Sequence, residues 1–157
     1  MPANQIIHDI WVGDLEDAIV WDGNLLCVLE TRPERLPLDA LHIPILTLRY
    51  EKVMMKDKDG KDTDYLIHEY VDRALPVQLD AVAHVIQNHI DAKEKLLLHC
   101  GAGMERSPLA MTWYLHTRTG LTLEDAFALV KAKRPQAQNR LEWLNTEKNK
   151  YLEPLNM

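Results

Sequence analysis

The sequence has only two cysteines, Cys27 and Cys100, among its 157 residues. Two thiols make no disulfide framework, so a disulfide-stapled secreted scaffold is excluded and the fold must rest on a buried core. The expected compartment is the reducing cytoplasm, which suits a reactive thiol. No apolar run approaches the length needed to span a bilayer, and no charged flank with an apolar core opens the chain. Neither a membrane partner nor a secretory leader is therefore expected. Positive charge is in deficit: 18 Lys and Arg against 24 Asp and Glu leave a formal net charge of -6. That balance argues against a nucleic-acid surface. Internal repeats and low-complexity segments are absent. His84 and His89 stand five apart and do not share a helix face at ligand spacing, so no metal and no cofactor are expected. The remainder is 46% hydrophobic and 27% charged, enough for one domain over residues 1–157 with a sizeable core.

The pattern of that remainder interleaves strands and helices. Residues 6–12 read as a strand ending at Gly13, and a short helix starts near Asp14 and runs to Val20. Trp21-Asp22-Gly23-Asn24 is a turn signal, and 25–29 is a buried strand in which Cys27 is a small core residue. Residues 33–37 form a proline-broken loop, and 41–45 a short strand limited by Pro44. Two β-rich runs, 46–55 and 65–71, flank a charged Asp-Gly tip and predict a hairpin. Residues 76–90 carry Leu79, Val82, Ala83, Ile86 and Ile90 as one stripe of an amphipathic helix. Residues 95–99 predict a fully buried strand, and a helix starts near Ser107 with Pro108 in its first turn. Thr122 caps a further helix with Leu123, Ala126, Phe127 and Val130 inward. Lys131, Lys133 and Arg134 fill its basic last turn, and Pro135 stops it. A last helix is expected from Asn139 to Leu152. The predicted class is α/β: a single domain with a central, mixed but mostly parallel sheet flanked by helices.

One segment carries chemistry: His99-Cys100-Gly101-Ala102-Gly103-Met104-Glu105-Arg106-Ser107-Pro108. A strand that runs through a tight loop into a helix start is the geometry that binds a tetrahedral oxyanion. Gly101 and Gly103 let the backbone curl with its N–H groups inward. Arg106 closes the ring with a planar fork that takes two oxygens at once. Among these positive groups the Cys100 thiolate is favoured over the thiol, which readies a nucleophile.

His99-Cys100, five intervening residues and Arg106-Ser107 resemble the phosphate-binding loop of the cysteine-based protein tyrosine phosphatase superfamily. Ser107-Pro108 and the short chain resemble its dual-specificity branch. Ile10-Trp11-Val12-Gly13-Asp14 is similar to the family's opening strand, and 132–139 to the segment that closes behind the active site. The resemblance implies a phosphatase-like fold and a two-step hydrolysis of a phosphomonoester on a protein side chain, phosphotyrosine foremost. Cys100 would attack phosphorus, Arg106 and the loop residues Gly101, Ala102, Gly103, Met104 and Glu105 would hold the phosphate, and Ser107 would help the sulfur leave. His99 would orient the loop, with Asn139 supporting it.

The resemblance also implies a carboxyl group as proton donor on a loop before the cysteine. Asp72 lies where that loop belongs; Glu69 is the alternative, and Asp64 falls in the hairpin. The tryptophan-proline-aspartate signature of the classical enzymes is absent. So is lysine within the loop, which disfavours polyphosphorylated inositols. Glu105 either repels acidic substrates or holds Arg106. Arg73, Arg134 and Arg140 read as surface charges with some scope for extra anion contacts. A competing reading is a phospho-binding or regulatory module of the same fold without useful turnover. A weaker one is a rhodanese-type sulfur transferase.

Overall fold

The computed structural model describes residues 2–45, 50–56, 58–68 and 74–144, the strands at 50–56 and 62–68 by backbone alone. Five strands form one sheet: β1 (Asn4–Ile7), β2 (Ile10–Gly13), β3 (Asn24–Cys27), β4 (Leu41–His42) and β7 (Leu96–His99), in the order β1-β2-β7-β3-β4. β1 and β2 are antiparallel, whereas the β2, β7, β3 and β4 pairings are all parallel. This is the mixed, mostly parallel α/β sheet that the sequence predicts. A parallel strand is covered on both faces and so reads as a continuous apolar run. Leu96, Leu97 and Leu98 of the central strand are all fully buried.

Alternation along the strands divides the core into two layers. Leu26, Val28, Leu96, Leu98 and Cys100 pack toward the large cluster that contains α2 (Pro76–Ala92), α3 (Arg106–Thr119) and α4 (Leu123–Lys133). Leu25, Cys27 and Leu97 pack on the other face, with Ala18 of α1 (Leu15–Ile19) and Leu36. Cys27 is thus the core residue expected. In α2 the stripe Leu79, Val82, Ala83 and Ile86 is buried, as its spacing predicts.

Asp14 caps α1 in a reciprocal box. Its side chain accepts from the Asp17 N–H, and the Asp17 carboxylate accepts from the Asp14 N–H. Thr122 accepts from the Asp125 N–H at the start of α4. The predicted hairpin is present as β5 (Tyr50–Lys56) and β6 (Asp62–His68), paired in register from Tyr50–His68 to Lys56–Asp62. The segment at the end of the described chain differs from expectation. Leu141–Leu144 is a single 3-10 turn, started by Asn139 Oδ1 accepting from the Leu141 N–H. Expected elements at 46–49, 69–71 and 145–152 lie outside the described residues.

Candidate active site

β7 ends at His99 and delivers Cys100 to the floor of a cavity of about 120 Å³. Leu29 and loop residues Cys100, Gly101, Ala102, Met104, Glu105 and Arg106 line it. The chain then turns into α3, whose first residue is Arg106 and whose first turn holds Ser107 and Pro108. Proline fits there because first-turn N–H groups have no intrahelical partner to lose. Ser107 is fully buried, and its Oγ lies 3.2 Å from Cys100 Sγ. Residues seven apart meet because the loop folds back over the strand end.

The loop carbonyls are held from outside the cavity. Gly101 O accepts from the Leu15 N–H at 2.9 Å, and Met104 O from the Gln138 N–H at 2.7 Å. Gly103 O accepts from Arg134 Nε at 2.7 Å, and Cys100 O lies 3.2 Å from His99 Nδ1. None of these four partners lines the cavity. In a trans peptide the C=O and the next N–H point in opposite directions, and no cis bond occurs among the described residues. Outward carbonyls therefore turn the N–H groups of Gly101, Ala102, Met104 and Glu105 toward the cavity. Convergent backbone N–H groups at a helix N-terminus form an anion nest.

His99 is fully buried between Gly13 of β2 and Cys27 of β3, which are its register partners. Burial pushes its imidazole below the ordinary value. The ring is then neutral, and a contact to a carbonyl oxygen requires the proton on Nδ1. Nε2 is buried with no hydrogen-bond partner among the described residues. His99 thus contacts the Cys100 peptide through Nδ1.

Three readings are corrected by the structure. Of the two glycines, only Gly103 needs to be glycine. Its φ is +69°, and an added Cβ would lie 2.6 Å from Gly13 O and from Arg134 Nη2. Gly101 is outside the left-handed region, and among the described residues an added Cβ would meet only Leu29 Cδ2 at 3.8 Å. Arg134 is not a surface charge: it is 1% exposed and donates inward. Glu105 does not hold Arg106: its half-exposed carboxylate lines the cavity and pairs with Arg140 Nε at 3.4 Å. Arg106 Nη2 instead meets Glu30 Oε1 at 3.3 Å. Glu30 went unread in the sequence, although a signal was there. It is the first carboxylate past the C-terminal end of β3, the strand beside β7, and ligand crevices of parallel sheets open at strand C-termini. Asn139 caps its own turn, while its neighbour Gln138 contacts the loop through the backbone. Asp72, Glu69 and Arg73 lie outside the described residues.

Comparison with known proteins decides the family. The model of the dual specificity phosphatase catalytic domain matches residues 38–148. The chain belongs to this family. It is 30% identical over 93 residues to the dual specificity protein phosphatase Mpk3 of Drosophila melanogaster. That match covers 57% of this chain and only 22% of the fly protein, so the chain spans about a fifth of its relative. A crystal structure of a variant of human DUSP28 superposes with a TM-score of 0.62 at 22% identity, covering 98% of this chain and 95% of that one. The PTP-2 phosphatase of Cydia pomonella gives 0.62 at 20% identity, covering 91% and 88%. At these identities the superpositions establish the dual-specificity phosphatase fold.

Proposed function

We propose that the chain is a cysteine-dependent protein phosphatase of the dual-specificity type, with phosphotyrosine the foremost substrate and phosphoserine or phosphothreonine within reach. The observation that carries this reading is the nest itself. Cys100 Sγ lies at its floor with Ser107 Oγ 3.2 Å away, the N–H groups converge, and Arg106 stands at the rim.

In the first step the Cys100 thiolate attacks phosphorus. The S–P bond forms, the P–O bond to the side chain breaks, and the leaving oxygen takes a proton from a carboxyl group. Asp72 is the donor in this reading, and Glu69 the alternative. Arg106 and the inward N–H groups hold the equatorial oxygens, where charge builds up in the transition state. In the second step a water attacks phosphorus and yields its proton to the same carboxylate. The S–P bond breaks, inorganic phosphate leaves, and Ser107 supports the departing sulfur through its O–H.

The cavity residues Gly101, Ala102, Met104 and Glu105 bring no lysine or arginine to the pocket. A singly phosphorylated side chain suits it better than a polyphosphate. The test is hydrolysis of an aryl phosphate and of phosphotyrosine peptides in the presence of a chelator, with Cys100→Ser alongside. Turnover that disappears in the variant, with phosphopeptide binding kept, is the expected result. Tight phosphopeptide binding with no wild-type hydrolysis would instead make the chain a binding module.

A further inference from the structure

Arg134 ends α4 as its C-cap, and its side chain runs inward rather than to solvent. The guanidinium spans two parts of the molecule. Nε donates to Gly103 O at 2.7 Å, in the middle of the phosphate loop. Nη1 donates to Asn4 Oδ1 at 2.8 Å and to Val12 O at 3.2 Å, on the two antiparallel strands β1 and β2, with Pro2 O at 3.4 Å. Burial lowers the guanidinium from its ordinary value, and Asp17, Asp14 and Cys100 oppose that shift. A buried cation with this many acceptors is a fixed post.

We propose that Arg134 is a positioning residue of the phosphate loop, and that Asn4 anchors it, which makes β1 part of the catalytic apparatus. The inference rests on the phosphatase reading for its effect on turnover, though not for its effect on the loop. By holding Gly103 O outward, Arg134 turns the next N–H, that of Met104, into the cavity. Gly103 is the one loop residue whose φ only glycine adopts readily, so this peptide is free to rotate without its tie. A lysine keeps the charge but has no fork, and one ammonium cannot serve Gly103 O and Asn4 Oδ1 in the same geometry.

The test compares Arg134→Lys and Asn4→Ala with wild type, at a temperature where circular dichroism shows each folded. Lys133→Ala, an exposed cation of the same helix, is the control. Loss of one preorganised donor lowers kcat by about 10²-fold. That loss is expected for Arg134→Lys, together with weaker inhibition by inorganic phosphate, and a smaller change in the same direction for Asn4→Ala. Faster amide exchange than in wild type is expected at Leu15 and Gln138, whose N–H groups are tied to loop carbonyls, with β7 unchanged. Wild-type kcat and phosphate inhibition in folded Arg134→Lys would overturn the proposal. Should the wild type neither hydrolyse nor bind phosphate, the phosphatase reading fails and exchange alone decides. Unchanged protection at Leu15 and Gln138, the amides that donate to loop carbonyls, in Arg134→Lys then overturns the positioning role, and selective loss of protection there upholds it.

Discussion

Cys27 is the register partner of His99, so Cys100, one residue further along, faces the opposite side of the sheet. A disulfide needs Cβ atoms that approach within about 4.5 Å along converging vectors. Opposite faces forbid that without moving the strands. Peroxide should therefore convert Cys100 to the sulfenic acid without an internal Cys27–Cys100 bond. Intact-mass and peptide mapping check this, and Cys27→Ala should inactivate with peroxide at the wild-type rate. A 27–100 disulfide in the map would refute the two-face placement.

The two loop glycines should separate sharply. Gly103→Ala faces about 1–2 kcal/mol of left-handed strain and a backbone oxygen 2.6 Å from the new carbon. It should lower the melting temperature and abolish aryl phosphate hydrolysis. Gly101→Ala meets nothing closer than 3.8 Å among the described residues and should melt within a few degrees of wild type. Equal effects of the two substitutions would contradict the geometry.

The proton donor is tested by kinetics. Asp72→Ala should lower kcat by about 10²–10⁴-fold, the range for a general acid, most of all for poor leaving groups. Glu69→Ala should leave kcat near wild type. The reverse pattern would transfer the role to Glu69. Ser107→Ala should slow the second step, visible as a burst of leaving group followed by slow turnover.

Stability should fall on the acid side because of His99. Its folded value lies below the unfolded 6.5 because burial disfavours the charged ring. Between those two values the unfolded chain binds the extra proton. Stability therefore drops as pH falls below about 6.5, at up to about 1.4 kcal/mol per unit, and levels off below the folded value. Urea midpoints from pH 8 to pH 5 check the slope, and His99→Gln should flatten it. An unchanged slope in that variant would remove His99 as the cause.

Much of this was legible in the sequence because it is local. The apolar run 96–98 ahead of the glycine loop, the Asp-Gly tip of the hairpin and the stripe of α2 each announce themselves within a few residues. What stayed hidden depends on distant partners. Arg134 sits beside Lys131 and Lys133, and helical periodicity cannot tell the inward cation from the outward two. Its acceptors come from residues 4, 12 and 103. The Glu30–Arg106 pair spans 76 positions. The need for glycine at 103 and not at 101 follows from the approach of Gly13 O, which no window around the loop contains.

The outward carbonyls of the phosphate loop have a consequence for biosynthesis. Their donors come from Leu15 and His99 before the loop, and from Arg134 and Gln138 after it. A ribosome that has released the chain only as far as the loop has exposed Cys100 without the groups that shape its nest. Long-range closure comes late in folding. The nest around Cys100 should therefore close only once α4 and the turn after it have docked, and nascent or partly unfolded chains lack it.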